Sequence, residues 1–351
     1  MTAKSLVVVT MLVLSPIVVL ADTFNVTLVA GHPAVFRWVK QMEDPFVPVV
    51  TAEVESLGHK ISFTGQYGGS IAGVGEELET IGAGLAEIGI CPSVFEPAQM
   101  PEQNVTYYTP FVSADPRLVT QLLHQMHKDP RMQRSYADNN VVYLGAPAAI
   151  DDYLLMTTFP FNSLDDLKGR KIAAPGPAIN WLSGTGAVAV SGNLTTYYNE
   201  IKTGVYDGVI TFASAALPGK LYEVAPYITK IGLGAQFAGA MCANEDWYQN
   251  LPEAVQNALH KGTDAAADWY LGDLEATVTN AFNVMADKGA TITSATKDVR
   301  EAWAAGMDNF AQTWATSLDK KNRPGTDILT MYMEAMRAAG ATPLRNWDKK
   351  K

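Results

Sequence analysis

SLDDLKGRKIAAPGPAINW, residues 163–181, passes from helix to turn to strand to loop within one short stretch. SLDDLKG reads as a short capped helix, with Gly169 closing it at a position that favours a left-handed residue. RKIAAPG follows as an apolar strand, and the Pro-Gly-Pro run at 175–177 ends it in a loop carrying Trp181. Helix, tight turn, strand and loop in that order form the working unit of an α/β protein, with loops at strand ends free to meet a ligand.

The unit recurs in both directions. Upstream, FNVTLVAGH (24–32) alternates like a strand, and AVFRWVKQMEDPFVPVVTAEVESLG (34–58) has helical spacing interrupted at Pro45 and Pro48. HKISFTGQYGGSIAG (59–73) is a strand running into a glycine-rich loop, GEELETIGAGLA (75–86) a helix and EIGICPS (87–93) an apolar strand. That β-α-β-α-β order predicts a parallel sheet with crossover helices. NNVVYLGAP (139–147) and YLLMTT (153–158) read as further strands, NLTTYYNEIKTG (193–204) as a helix ending at Gly204, and VYDGVITF (205–212) as the strand started by the Asp207-Gly208 turn. These build a second α/β lobe.

From Pro252 the pattern changes. Val255, Leu259, Ala266, Trp269, Leu274, Val278, Phe282 and Met285 fall mainly on one face of a single long helix. A second helix is expected over 297–318 and a third after Pro324. The expected division is a first lobe of 22–147 with about 237–277, and a second of 148–236 with about 278–351.

The chain has 351 residues, 48 % apolar and 18 % charged, enough for two domains with substantial cores. Lys4 precedes the apolar run 6–20 and the small-residue end Val19-Leu20-Ala21, which reads as a signal peptide cut after Ala21. About 20 residues are needed to span a bilayer, and this run is shorter and holds Ser15 and Pro16. No cysteine follows it for lipid attachment. The expected location is therefore periplasmic, with 36 acidic against 26 basic residues giving a surface that repels nucleic acid. Cys91 and Cys242 are either a disulfide in an oxidising compartment or two buried thiols. His124 and His127 have no Glu between them and no third ligand near, so no metal or other cofactor is expected.

SLDDLKGRKI (163–172), GTGAVAV (184–190), YYNEIKTGVYDG (197–208) and KLYEVAPYIT (220–229) resemble, in order and spacing, the signatures of the extracytoplasmic solute-binding proteins of tripartite ATP-independent periplasmic (TRAP) transporters. GAGLAEIG (82–89) and ANEDWYQNLPEAVQNAL (243–259) are similar to that family's first-lobe segment and the start of its scaffold helix. The resemblance implies a two-lobed periplasmic binding-protein fold of the α/β class, with a ligand cleft between the lobes and a long C-terminal scaffold helix. It also implies a non-enzymatic receptor for a small organic solute, an organic acid in most members, that passes its ligand to integral-membrane subunits of a TRAP transporter. Monomer and homodimer both stay open, as do service to a permease or to a membrane sensor.

The same resemblance implies a cleft arginine third in the strand after the DLKG turn, where this chain has Ala173. A second arginine of some members is replaced by Tyr153, an acidic residue by Thr196 and an asparagine by Thr211. A guanidinium fork at such positions would hold a carboxylate by two parallel hydrogen bonds. Arg170 does not substitute for it, because it lies an odd number of positions from Ala173 and points to the other face of the strand. The expected cleft is less cationic than its relatives', with Trp181, Tyr67, Phe95, Tyr153, Phe212 and Phe237 as candidate aromatic walls and Ala173 clearing space. Each aromatic has core packing as its alternative role. Arg37 is the candidate replacement cation, or else a solvated helix charge. His32, Ser93 and Gln236 are candidate polar contacts, with capping and turn roles as alternatives, and Asp151 and Asp152 either face an amine or sit in a solvated loop. The ligand is accordingly an organic acid, possibly aromatic, or alternatively a neutral or amine compound. An extracytoplasmic hydrolase is the less favoured alternative: there is no G-x-S-x-G elbow, no His-Glu metal motif and no paired acid for glycoside chemistry, though scattered Ser, His and Asp could converge in space.

Overall fold

The computed structural model describes residues 22–349, without the side chains of 147–150. The expected leader and its cleavage site after Ala21 lie outside the described residues. The chain starts with β1 (Thr23–Ala30), α1 (Arg37–Gln41), α2 (Val47–Ser56), β2 (Lys60–Tyr67), α3 (Glu77–Gly82) and β3 (Ile88–Cys91). A π-helical turn at Met42–Phe46 holds Pro45 and joins α1 to α2. The wider turn accommodates a residue that lacks an N–H and crowds the preceding carbonyls. β1 pairs in parallel with β2 and β3, as the β-α-β-α-β order predicts. Val26, Leu28, Val29 and Ala30 are buried on both faces of the sheet, the pattern of a strand with helices on each side.

After α4 (Pro116–Met126) and α5 (Pro130–Ala137), β4 (Val141–Ile150) completes this sheet and the chain crosses to the other one. The second sheet takes β5 (Tyr153–Thr157), β6 (Lys171–Ala174), β7 (Val188–Ser191), β8 (Gly208–Phe212) and β9 (Tyr227–Lys230), with α6 (Tyr197–Lys202) and α7 (Ala213–Ala216) between strands. β10 (Gln236–Asn244) is the return crossing. The orders are β2-β1-β3-β10-β4, and, with β11 (Thr291–Ser294), β11-β9-β5-β8-β6-β7. Neither sheet is wholly parallel. β10 runs antiparallel to both its neighbours, and β5 antiparallel to β8 and β9. The chain changes lobe along β4 to β5 and returns along β10, so these strands enter from the opposite end.

Ser163 caps its short helical turn with a full capping box, Asp166 reaching back to the Ser163 N–H. Gly169 and Gly204 both take the left-handed conformation that their places require. Asp207 accepts the backbone N–H of Lys171 at 2.8 Å and so ties the start of β8 to β6. KLYEV forms only a 3-10 turn at Leu221–Glu223 before β9, and GTGAVAV supplies β7. Cys91 on β3 and Cys242 on β10 form a disulfide with Cα atoms 6.0 Å apart, which selects one of the two readings open from sequence.

The expected single scaffold helix is two. After α8 (Glu245–Gln249), α9 (Glu253–Gly272) ends at Asp273 and α10 (Leu274–Asp287) begins. The side chains of Arg37 and Arg117 take the carbonyls of Trp269, Tyr270, Leu271 and Gly272 at the end of α9. Those carbonyls are the unsatisfied, electronegative end of a helix, where guanidinium groups are favoured. α9 packs on α2 and β4 of the first lobe, and α10 on α7 of the second, so the pair braces both.

The helix expected over 297–318 also divides, into α11 (Lys297–Gly306) and α12 (Phe310–Asp319), where Met307 turns extended and Asn309 caps the second helix. α13 (Gly325–Ala338) follows. Of the tail expected with the second lobe, α10 and β11 stay there, but α12, α13 and the residues beyond pack on the first. α13 packs on α4, Arg323 pairs with the buried Glu102 and with Asp138, and the Trp347 indole donates to the Pro110 carbonyl at 2.7 Å. The apolar faces of α12 and α13 are covered by first-lobe elements that lie far away in sequence. No described helix is long and apolar enough to cross a membrane.

Candidate ligand cavity between the sheets

Parallel strands of both sheets, β1 and β3 of one and β6, β7 and β8 of the other, end on one cavity between the lobes, with about 490 Å³ of empty space, part of it open to solvent. From the first lobe come His32 after β1, Trp38 on α1, and Pro92, Val94 and Phe95 after β3, with Tyr107 beside them. From the second come Tyr153 at the start of β5, Pro175 after β6, Asn193 and Leu194 after β7, Tyr197 on α6, and Thr211 and Phe212 at the end of β8. The antiparallel strands β5 and β10 begin where the parallel ones end, so they too reach it, β10 through Ala238. This is the carboxyl end of the strands, where open α/β sheets bind ligands.

Aromatic rings join the lobes across this space. The rings of Trp38 and Phe212 lie 5.6 Å apart, those of Tyr153 and Phe212 5.2 Å, both pairs tilted. The Tyr107 and Tyr153 hydroxyls share a 2.7 Å hydrogen bond. Nε2 of His32, Oγ1 of Thr211 and the Tyr197 hydroxyl are buried with no hydrogen-bond partner in the protein. Burial lowers the His32 pKa to about 4, so its imidazole is neutral near pH 7. Glu77 secures the His32 loop: its carboxylate accepts the N–H groups of Gly31 at 2.8 Å and Gly75 at 2.7 Å. Burial pushes the pKa of Glu77 up to about 7.

Of the residues singled out in the sequence, His32, Phe95, Tyr153, Thr211 and Phe212 line the cavity. Ser93 lies between the lining residues Pro92 and Val94, buried with an unpartnered hydroxyl. The others are elsewhere. The ring of Trp181 is stacked on Tyr107 behind the wall, its N–H donating to the Tyr107 carbonyl at 2.7 Å; its sequence position after a loop suggested access, but the 3-10 turn at Gly176–Leu182 folds it inward. Ala173 is interior to β6, between Val190 and Val209 of the flanking strands. Tyr67 turns back over Gly65 at the end of β2. Gln236 bonds the Gly234 carbonyl at 3.2 Å, and Phe237 packs beside His127. Thr196 precedes α6, with its hydroxyl turned to the Asn193 carbonyl.

Arg37 does not reach the cavity. Its guanidinium lies 3.9 Å over the Trp269 ring, bonds the Tyr270 carbonyl at 3.0 Å and pairs with Asp273. The acidic pair is not a solvated loop either. Asp151 accepts the Ser214 hydroxyl at 2.6 Å and Asp152 the Gly234 N–H at 2.8 Å, and burial raises both pKa values, to about 6 and about 7. Both carboxylates satisfy donors where the chain crosses between lobes. Arg37→Ala is expected to lower stability by about 1.5–3 kcal/mol, the worth of a charge-assisted hydrogen bond, without changing the order in which solutes bind. Thermal melts and ligand titrations check this, and a selective loss of acids would place Arg37 at the ligand after all.

Trp38, Tyr107 and Tyr197 were missed. Trp38 follows Arg37 directly, about 100° around the helix from it, and Tyr197 follows Thr196, so each stands one residue from a position that was singled out. Tyr107 stands in a 3-10 stretch, Pro101–Tyr108, that has no regular apolar period.

Two α/β sheets closing on one cavity through a pair of crossings define a two-lobed binding-protein fold. The sequence profile of bacterial extracellular solute-binding protein family 7 (DctP) matches residues 51–317, and the chain belongs to that family. The fold is shared with DctP7 of Bordetella pertussis, an extracytoplasmic solute receptor binding pyroglutamic acid, at 16 % identity and TM-score 0.78, covering 89 % of this chain and 99 % of that one. It is shared likewise with the ectoine-binding protein of the TeaABC TRAP transporter of Halomonas elongata, at 18 % identity and 0.75 over 90 % and 99 %. A third is a TRAP solute-binding protein from Sulfitobacter sp. NAS-14.1 with bound β-D-galacturonate, at 18 % and 0.74 over 88 % and 99 %. In sequence, the ectoine-binding periplasmic protein TeaA of Halomonas elongata is 38 % identical over 71 residues, a fifth of each chain. The chain thus matches only a fifth of that curated relative's length.

Proposed function

We propose that this protein is the periplasmic receptor of a TRAP-type transporter, capturing a small organic acid in the cavity and delivering it to integral-membrane subunits. The observation that carries this is the cavity built from the strand ends of both lobes. In this reading the leader is cut after Ala21, and His32, Phe95, Tyr153, Thr211 and Phe212 touch the solute together with Trp38 and Tyr197. The lobes are the two sheets with their helices, α12 and α13 going with the first. In this reading the protein binds its solute without altering it, in keeping with its membership of a solute-binding family.

Pyroglutamate, galacturonate and ectoine, which the relatives bind, are the first compounds to test by thermal shift on the mature chain. A ligand at a hundred times its Kd stabilises the native state by about 2.7 kcal/mol, and it is expected back chemically unchanged. Recovery of an altered product would replace the receptor by an enzyme.

A further inference from the structure

The receptor reading leaves open what balances the charge of the acid, and the cavity wall speaks to it. None of the described residues lining the cavity is Lys, Arg, Asp or Glu. Cations near the lining in sequence are placed elsewhere: Arg37 at the end of α9, Lys40 on Asp44, Arg170 on Asp207 and the Phe159 ring, Lys202 over the Tyr198 ring, and Lys171 exposed at the start of β6. His32 is buried and neutral. The start of α7, next to Phe212, offers no free donor at Ser214, because Asp151 takes both its N–H and its hydroxyl. Asp151 itself, two residues from Tyr153, adds negative potential behind the wall.

What the wall does present is of two kinds. The unpartnered atoms Nε2 of His32, Oγ1 of Thr211 and Oη of Tyr197 are neutral groups able to donate hydrogen bonds to a carboxylate, His32 in its Nε2–H tautomer. Trp38, Tyr153 and Phe212 present rings set at angles to one another, with Phe95 also in the wall, and aromatic faces attract a compact cation. A carboxylate enclosed here with no cation in the wall is strongly disfavoured, so its charge has to be balanced from within the ligand.

We infer that the solute is a small zwitterion, a carboxylate held by the His32, Thr211 and Tyr197 side chains with its own onium group among the aromatic rings. This rests on the cavity's being the receptor site.

The test compares isosteric pairs by titration calorimetry and thermal shift on the mature protein. Trimethylglycine is set against 3,3-dimethylbutanoate, and N,N-dimethylproline against 2,2-dimethylcyclopentanecarboxylate, each pair exchanging only a quaternary nitrogen for carbon. Choline supplies the onium without the carboxylate, and pyroglutamate and galacturonate supply acids without an onium. At least one zwitterion is expected to bind ten times or more tighter than its carbon isostere and than choline. That gap is expected to shrink in Trp38→Leu, and in Phe212→Leu should the first variant not fold. An isostere, pyroglutamate, galacturonate or choline binding as tightly as the better of the two zwitterions overturns the inference and leaves the receptor reading standing. Silence from every class removes the receptor reading itself, and the inference with it.

Discussion

Gly176→Ala is expected to weaken solute binding by a hundredfold or more, the largest effect of any single methyl group in this protein. Gly176 follows the cavity residue Pro175 at the end of β6 and has φ +47°; a Cβ there would stand 1.9 Å from the backbone oxygen of Val94 in the opposite lobe. That oxygen belongs to main chain and cannot rotate away. The lobes must separate by more than an ångström, or the backbone must shift, before the cavity closes. Ligand affinity counts only through the difference between closed and open forms, and about 2.7 kcal/mol lost from that difference is a hundredfold in Kd. Gly169→Ala is the control: φ is +72° there, but nothing lies within 4 Å of its Cβ. It carries the left-handed strain of about 1–2 kcal/mol and is expected to melt earlier while binding normally. Calorimetric Kd values for both variants decide the matter, and unimpaired binding in Gly176→Ala would mean that these lobes do not have to meet at Val94.

Replacing Cys91 and Cys242 together by serine is expected to give the largest loss of stability. The bridge spans 151 residues of chain and ties β3 to the returning strand β10, so it closes a loop containing most of the second lobe. In the chain-entropy account, a loop of this length is worth on the order of 5 kcal/mol. Dithiothreitol is expected to lower the melting temperature of the natural protein to that of the double variant and to leave the variant unmoved. Both sulfurs are fully buried, so reduction proceeds only as fast as the chain opens. Two free thiols titrated in denaturant without reductant would dismiss the bridge.

Local chemistry decided how much was legible in advance. The capped turn at Ser163, the left-handed glycines 169 and 204 and the Asp207-Gly208 turn are set by residues a few positions apart, and each is where the sequence places it. The scaffold helix was read as one because its apolar face continues past Asp273. It breaks there because two arginines from distant elements occupy its last carbonyls. Arg37 looked like a ligand contact for a related reason: a charge just after a strand-end loop has the right address, and only the fold shows α9 waiting for it. Trp181 failed likewise, since sequence places it beside a loop and packing turns it under Tyr107.

The sequence by itself determined the α/β class, the two lobes and the family, because each of these follows from residue types and motifs at short spacing. Tertiary structure alone decided the pairing of Cys91 with Cys242, the packing of α12 and α13 on the first lobe, and the set of side chains that face the cavity. Those depend on contacts between residues a hundred or more positions apart, and on the phase of each helix where it meets its neighbour, which no local pattern encodes.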